Sequence, residues 1–305
     1  MNHSRLPPRA LLGRRAFFLL FAPSALCALV PAFATDALAA KLQPQAAKSW
    51  ETYLQWADSK AERELAQPDR FLIQEYLSPQ ERANAQRRLK AGEVFVQRVQ
   101  GVVPQGIQFE VPDAAIHHWW GSIFIPQITL GELLPFLKDY DHHAGRFREV
   151  QESRLLSRNG ENYKFYFRLK RSNPFITVHY NTEQECSYTT RGSARASSRS
   201  VATRIAELKD AGTRAEREMT PGDDHGFLWR LVSWWRFQQT PEGVTVECES
   251  ASLSRRIPIV VGIIPGLRGY LESVPKDSLE NTLTSVRREA IAFKNNPQSS
   301  KASAK

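Results

Sequence analysis

From residue 148 to residue 254, stretch after stretch of this chain places apolar side chains at alternate positions, with short polar turns between. A period of two marks half-buried strands, and consecutive strands joined by short turns make one antiparallel sheet. The stretches are 148–157, 163–171, 175–181, 186–190, 198–208, 226–238 and 243–254. Asn159-Gly160, between the first two, is a two-residue hairpin signal. Such a sheet has an apolar face that must be covered. The long amphipathic segment available is C-terminal: Leu279, Leu283, Val286, Ala290 and Phe293 recur at helical spacing behind Pro275, with Asp277 as the N-cap and Glu280 three positions on.

Upstream, 46–65 reads as a helix with Trp50, Tyr53, Leu54 and Ala57 on one stripe, ended by Pro68. Ser78-Pro79-Gln80-Glu81 is a capping box that opens a mostly charged surface helix, closed by Gly92. The period then changes to two over 93–100, 107–111 and 116–125, where Pro126 stops it. Thr129-Leu130-Gly131-Glu132 is a second capping box, opening a short helix that buries Leu130, Leu133, Leu134 and Leu137.

This order of elements resembles the helix-grip fold of the START-like (SRPBCC) superfamily, which includes polyketide cyclase-like and Bet v 1-like proteins. The resemblance covers roughly 93–294, about two thirds of the chain. Ile123-Phe124-Ile125-Pro126, Leu130-Gly131-Glu132-Leu133-Leu134 and Asp139-Tyr140-Asp141 resemble the strand-to-helix passage of such domains. The stretch 229–237 and Val246-Glu247-Cys248-Glu249-Ser250 resemble the late strands, and 252–258 the exit toward the last helix. The resemblance implies an α+β fold, with a curved antiparallel sheet wrapped on a long C-terminal helix and an N-terminal helical extension outside the common core. It also implies a hydrophobic small molecule or lipid held between sheet and helix.

Residues 1–39 read differently. Arg5, Arg9, Arg14 and Arg15 precede an apolar stretch, and Ala37-Leu38-Ala39 gives a cleavage pattern. This is the layout of a cleaved signal peptide, which points to a periplasmic or secreted protein. Gly13-Arg14-Arg15-Ala16-Phe17-Phe18 is a loose twin-arginine signal without the Ser/Thr before it, so the export route stays open. The net charge of +9, from 41 Lys+Arg against 32 Asp+Glu, is partly this segment. Removing its four arginines and one aspartate leaves 37 against 31, a net +6 with no run of five basic residues. That excludes a nucleic-acid partner. The chain divides into the signal peptide (1–39), the helical extension (40–92), the START-like domain (93–294) and a polar, disordered tail (295–305).

The aromatic residues fall on strands, where they line a pocket or fill a core. The candidate ligand-binding residues are Trp119, Phe124, Trp229, Trp235 and Phe237 as lining, with Arg204 and Glu247 as polar anchors. For the charges around Glu247, Glu249, Arg236 and Arg255 the competing reading is cross-strand ion pairs on the wet face of the sheet. His117-His118 and the run 139–143 lack metal-ligand spacing, and no cofactor or metal is expected. No nucleophile motif is present, so no catalytic residue is assigned. A cyclase- or hydrolase-type enzyme in the same cavity, with Asp139, Asp141, His143, His118 or His179 as acid or base, is the second reading. A structural or interaction domain with a filled core is the third. Cys186 and Cys248 are either bonded or two buried thiols. The apolar, glycine-rich segment 257–270 is either a cavity lip open to transient membrane contact or a buried connector.

Overall fold

The computed structural model describes residues 40–99, 110–111, 113–172, 176–256 and 267–295. The expected signal peptide, the tail beyond Asn295 and most of the apolar segment 257–270 lie outside the described residues.

Helix α1 (Pro44–Leu65) buries Ala46, Trp50, Tyr53, Ala57 and Ala61, about one per turn, and sends Asp58, Lys60 and Glu64 to partners on the sheet. A 3-10 turn, Ile73–Tyr76, leads to α2 (Pro79–Lys90). The capping box forms as its spacing requires: the Glu81 amide donates to the Ser78 hydroxyl at 3.3 Å, and the Ser78 amide donates to the Glu81 carboxylate at 3.1 Å. Helix α2 is not wholly a surface element, because Ala85 and Leu89 are buried.

The remaining elements in chain order are β1 (Phe95–Arg98), β2 (Glu110–Val111), β3 (Ala114–Pro126), α3 (Leu130–Lys138), β4 (Val150–Asn159) and β5 (Asn162–Ser172). Then come β6 (Thr177–Arg191), β7 (Arg195–Lys209), β8 (Arg217–Glu218), β9 (Arg230–Thr240), β10 (Gly243–Arg255) and α4 (Leu267–Asn295). The sheet runs β1-β3-β10-β9-β7-β6-β5-β4, with β2 on β3 and β8 on β7. All these pairings are antiparallel.

Three details differ from the sequence reading. The two stretches expected at 175–181 and 186–190 are joined in the single strand β6. Asn181-Thr182-Glu183-Gln184-Glu185 is polar on both faces, so its period is invisible to hydropathy, yet Thr182 is fully buried. The β4–β5 loop is Gly160-Glu161, one residue later than the signal, with Gly160 at φ +59°, as a glycine at the first position of a type II′ turn requires. Helix α4 begins at Leu267, so Pro275 and Asp277 lie inside it rather than at its start. Proline there removes one helical hydrogen bond, but the helix continues on both sides.

Helix α4 lies on β3, β1 and β10. Its Leu279, Leu283, Val286 and Ala290 are buried with Ile123, Ile125, Leu133 and Phe136 in the main core. Gly121 sets how close the helix comes. A Cβ at that position would lie 2.7 Å from Leu283 Cδ1 and 3.0 Å from the Phe95 carbonyl oxygen. The other face of the sheet packs on α1, with Trp50, Tyr53, Val232, Trp234, Ala251 and Leu253 in a second core. The sheet therefore has an α4 face and an α1 face, and both are covered over its centre.

Candidate functional site

Between the α4 face and α4 is a cavity of about 790 Å³. That lies within the rough 300–1,000 Å³ range of small-molecule sites. Strand alternation decides who lines it. On β9, Leu231, Ser233, Trp235 and Phe237 face the space, on β5 Phe165 and Phe167, and on α4 Leu279, Thr282 and Val286.

One end is aromatic. The Tyr140 and Phe165 rings stack at 4.0 Å with an 11° tilt, and Phe165 lies 4.7 Å from Phe167. The Tyr140 and Tyr188 hydroxyls pair at 3.1 Å. His143 sits between Phe147 at 4.8 Å and Phe167 at 5.7 Å. Burial pulls the His143 imidazole down to about 4, against the opposing pull of the Phe136 carbonyl and Asp139, so it is neutral at pH 7. Trp235 stacks on Phe237 at 6.1 Å and 5°. Another part of the wall is charged but self-satisfied. Glu149 accepts from Arg171, from the Ser278 hydroxyl at 2.6 Å and from the Asn281 amide at 3.3 Å. Cys186 and Cys248 both line the cavity as free, buried thiols, and burial raises the pKa of each.

An antiparallel sheet with a cavity under one long C-terminal helix is a helix-grip arrangement. No family model matches the sequence, and no curated protein does. The chain is similar to solved structures at low identity. One is a fragment of the STAR-related lipid transfer protein from Xanthomonas axonopodis, at 14% identity and TM-score 0.40, covering 64% of this chain and 98% of that one. Human STARD10 matches at 10% identity and TM-score 0.37, over 77% and 89% of the two chains. The Zhui aromatase/cyclase from Streptomyces matches at 13% and 0.35, over 59% and 95%.

Of the residues singled out by sequence, Trp119, Trp235 and Phe237 line the helix-grip cavity. Four lie elsewhere. Phe124 falls on the alternate face of β3 from Trp119. Trp229 precedes β9, packs with the α1 core, and its indole donates to Asp224 at 3.2 Å. Arg204 is exposed and paired with Glu218. Glu247 belongs to the α1 face, where it is fully buried. The cavity residues that sequence reasoning did not select are Tyr140, Phe165, Phe167, Tyr188 and a set of serines. For Phe165, Phe167 and Tyr188 the signal was alternation on β5 and β6; Tyr140, in the 3-10 turn Tyr140–His142, and the small polar residues on strands gave none.

The charges around Glu247 correct the wet-face reading. Glu247 and Arg236 are cross-strand neighbours as expected, but they are 0% and 1% exposed beneath the N-terminal segment. Glu247 accepts from the amides of Ile73 and Gln74. Burial pushes its carboxyl up to about 7, against the opposing pull of Arg236 and the two amides. Arg236 donates to the Phe71 carbonyl at 3.0 Å and to Glu64 at 2.5 Å. Beside it, Tyr53 pairs with His118 Nδ1 at 2.6 Å, and His118 Nε2 lies 2.9 Å from Glu249. Burial pushes Glu249 upward, but Lys60 at 3.1 Å and His118 outweigh it and hold the carboxylate well below its usual range. His117 and His118 point to opposite faces, His117 to the cavity wall and His118 to this layer. Among the described residues no cluster of His, Cys, Asp and Glu could hold a metal.

Proposed function

We propose that this chain is an exported, periplasmic or secreted binding protein that holds a hydrophobic small molecule or lipid between its sheet and α4, without transforming it. The observation that carries the reading is the aromatic-walled cavity of about 790 Å³. Folded interiors pack as densely as organic crystals, with few voids larger than a water molecule. A space of this size is therefore not a packing defect, which weighs against the filled-core reading. One carboxylate in its wall, Glu149, is saturated by Arg171, Ser278 and Asn281, which leaves it poorly placed to act as a base.

Native mass spectrometry with lipid extraction tests this on protein purified from the periplasm of an expressing bacterium. The expected result is a bound mass that organic solvent removes. A clean apo mass under gentle conditions overturns the reading. Sequencing the N-terminus of the same protein tests export, with residue 40 expected first. Retention of 1–39 overturns the cleaved-signal part. The segment 257–270 is proposed as the site of transient membrane contact when the ligand is exchanged.

A further inference from the structure

Ala40, Lys41 and Leu42, just ahead of α1, are seated on a loop far away in sequence, 222–229, which leads into β9. The Ala40 amide donates to the Asp224 carbonyl at 2.8 Å. Gly226, at φ +67°, leaves the room for it. A Cβ there would lie 3.0 Å from the Ala40 Cβ and 2.7 Å from a Trp229 ring carbon. The Lys41 stem runs past Gly222, its Cγ 3.6 Å from where a Cβ would stand, and Leu42 packs with Trp229 on the α1 core.

The loop is shaped around Asp224. Its carboxylate accepts from the Gly226 amide at 2.8 Å, the Trp229 indole at 3.2 Å and the Gly222 amide at 3.2 Å. The His225 amide and ring both bond Glu207 of β7. Toward β10, the Trp229 amide donates to the Leu253 carbonyl at 2.8 Å, and the Arg255 amide to the Gly226 carbonyl at 2.7 Å. Phe227 and Leu228 of the same loop line the cavity. The loop thus joins the seat of Ala40 to the cavity wall.

The peptide bond expected to be cut is the one immediately before Ala40, after Ala37-Leu38-Ala39. A cleavage pattern in the sequence and a seat in the fold therefore meet at one nitrogen atom. Hydrolysis adds one water across the broken C–N bond. The oxygen bonds to the Ala39 carbonyl carbon, which leaves as a carboxylate, and the protons go to the Ala40 nitrogen, which becomes an ammonium. One donor becomes three. The bond to the Asp224 carbonyl becomes charge-assisted, roughly twice as strong as a neutral one. The receiving loop carries two acids, Asp223 and Asp224.

We infer that 222–229 is a binding site for the chain's own processed α-amino group, and that cleavage latches this loop and with it the Phe227 and Leu228 part of the cavity wall. This rests on the export reading, because without cleavage after residue 39 there is no ammonium at Ala40. It adds that removal of the leader completes the fold as well as freeing the chain.

The test uses two full-length genes, with both products purified from the periplasm. One is the wild type. The other has Gly-Ser inserted between Ala39 and Ala40, so that cleavage after Ala39 leaves the ammonium two residues away from its seat. Intact mass gives the cleavage point, and hydrogen exchange read by mass spectrometry gives the protection of 222–229. The wild type is expected to begin at Ala40 and to exchange this segment about tenfold more slowly than the insertion variant. Acetylating the wild-type α-amino group at about pH 7, where lysines stay protonated, separates charge from chain length. It is expected to speed exchange as the insertion does. Equal exchange in all three proteins overturns the latch and leaves export standing. Faster exchange with the insertion but not on acetylation overturns the ammonium and reduces the seat to a packing contact. A wild type that retains 1–39, or begins at a residue other than 40, overturns the latch together with the cleaved-signal reading.

Discussion

Glu247 is a carboxyl whose surroundings set the sign of a measurable pH effect. Its folded pKa, about 7, lies above the ordinary 4.5. A raised pKa means that stability is fully present below the unfolded value and is lost as pH rises through the folded one. The wild type should therefore weaken between about pH 4.5 and 7, by roughly 3 kcal/mol from this group. Urea unfolding of wild type and E247Q at pH 5 and pH 8 checks this: between the two pH values the wild type should lose roughly 2–3 kcal/mol relative to E247Q, since His143 contributes alike to both, and an identical change in the two proteins would remove Glu247 as a source. His143 acts in the opposite sense. Its pKa is lowered from 6.5 to about 4, so its contribution is lost as pH falls through that window. In the cavity, Phe165→Ala takes away the ring stacked on Tyr140 and should cost about 3–5 kcal/mol in thermal or urea unfolding. The residues differ in how visible they were. Trp119, Trp235 and Phe237 announce a wall by size and alternation, whereas Glu247 reads identically whether its face is wet or covered. What covers a strand face depends on contacts far away in sequence, here with Ile73 and Gln74.

At the scale of elements, local chemistry was the most legible. Ser78 and Thr129 cap α2 and α3 through bonds confined to four residues, and both capping boxes form where the sequence places them. Period two located β3, β9 and β10 to within a few residues. It failed in the middle of β6, where polar side chains occupy both faces. The start of α4 was missed because Pro275 and Asp277 make a complete N-terminal signal that the helix overrides. The contact between α4 and β3 depends on the absence of a side chain at Gly121. Gly121→Ala forces a methyl against Leu283 and the Phe95 carbonyl. It should destabilise the fold by about 1–3 kcal/mol, read as a lower urea midpoint. If G121A unfolds at the wild-type midpoint, α4 is not held at that distance.

For the whole molecule, the N-terminal extension is not an appendage. It covers Val232, Trp234, Ala251 and Leu253 with Trp50 and Tyr53, and it supplies the partners of Glu247, Glu249 and Arg236. A chain lacking 40–92 would expose that apolar face and leave buried charges uncompensated. It should fail to give a soluble monomer in size-exclusion chromatography, whereas a soluble, cooperatively unfolding fragment 93–294 would show that the sheet stands without it. Arg236→Met breaks the pairing with Glu64 and should cost about 3–5 kcal/mol in urea unfolding. The ion pairs that clamp the extension to the sheet also give the molecule a direction of compliance. Bowing the sheet toward α1 would drive it into the packed second core and compress the Arg236–Glu64 and Glu249–Lys60 pairs, whereas the opposite side contains empty space beneath α4. The sheet is a stiff backplate with a yielding cover, so a guest too large for the cavity lifts α4 and leaves the strands where they are.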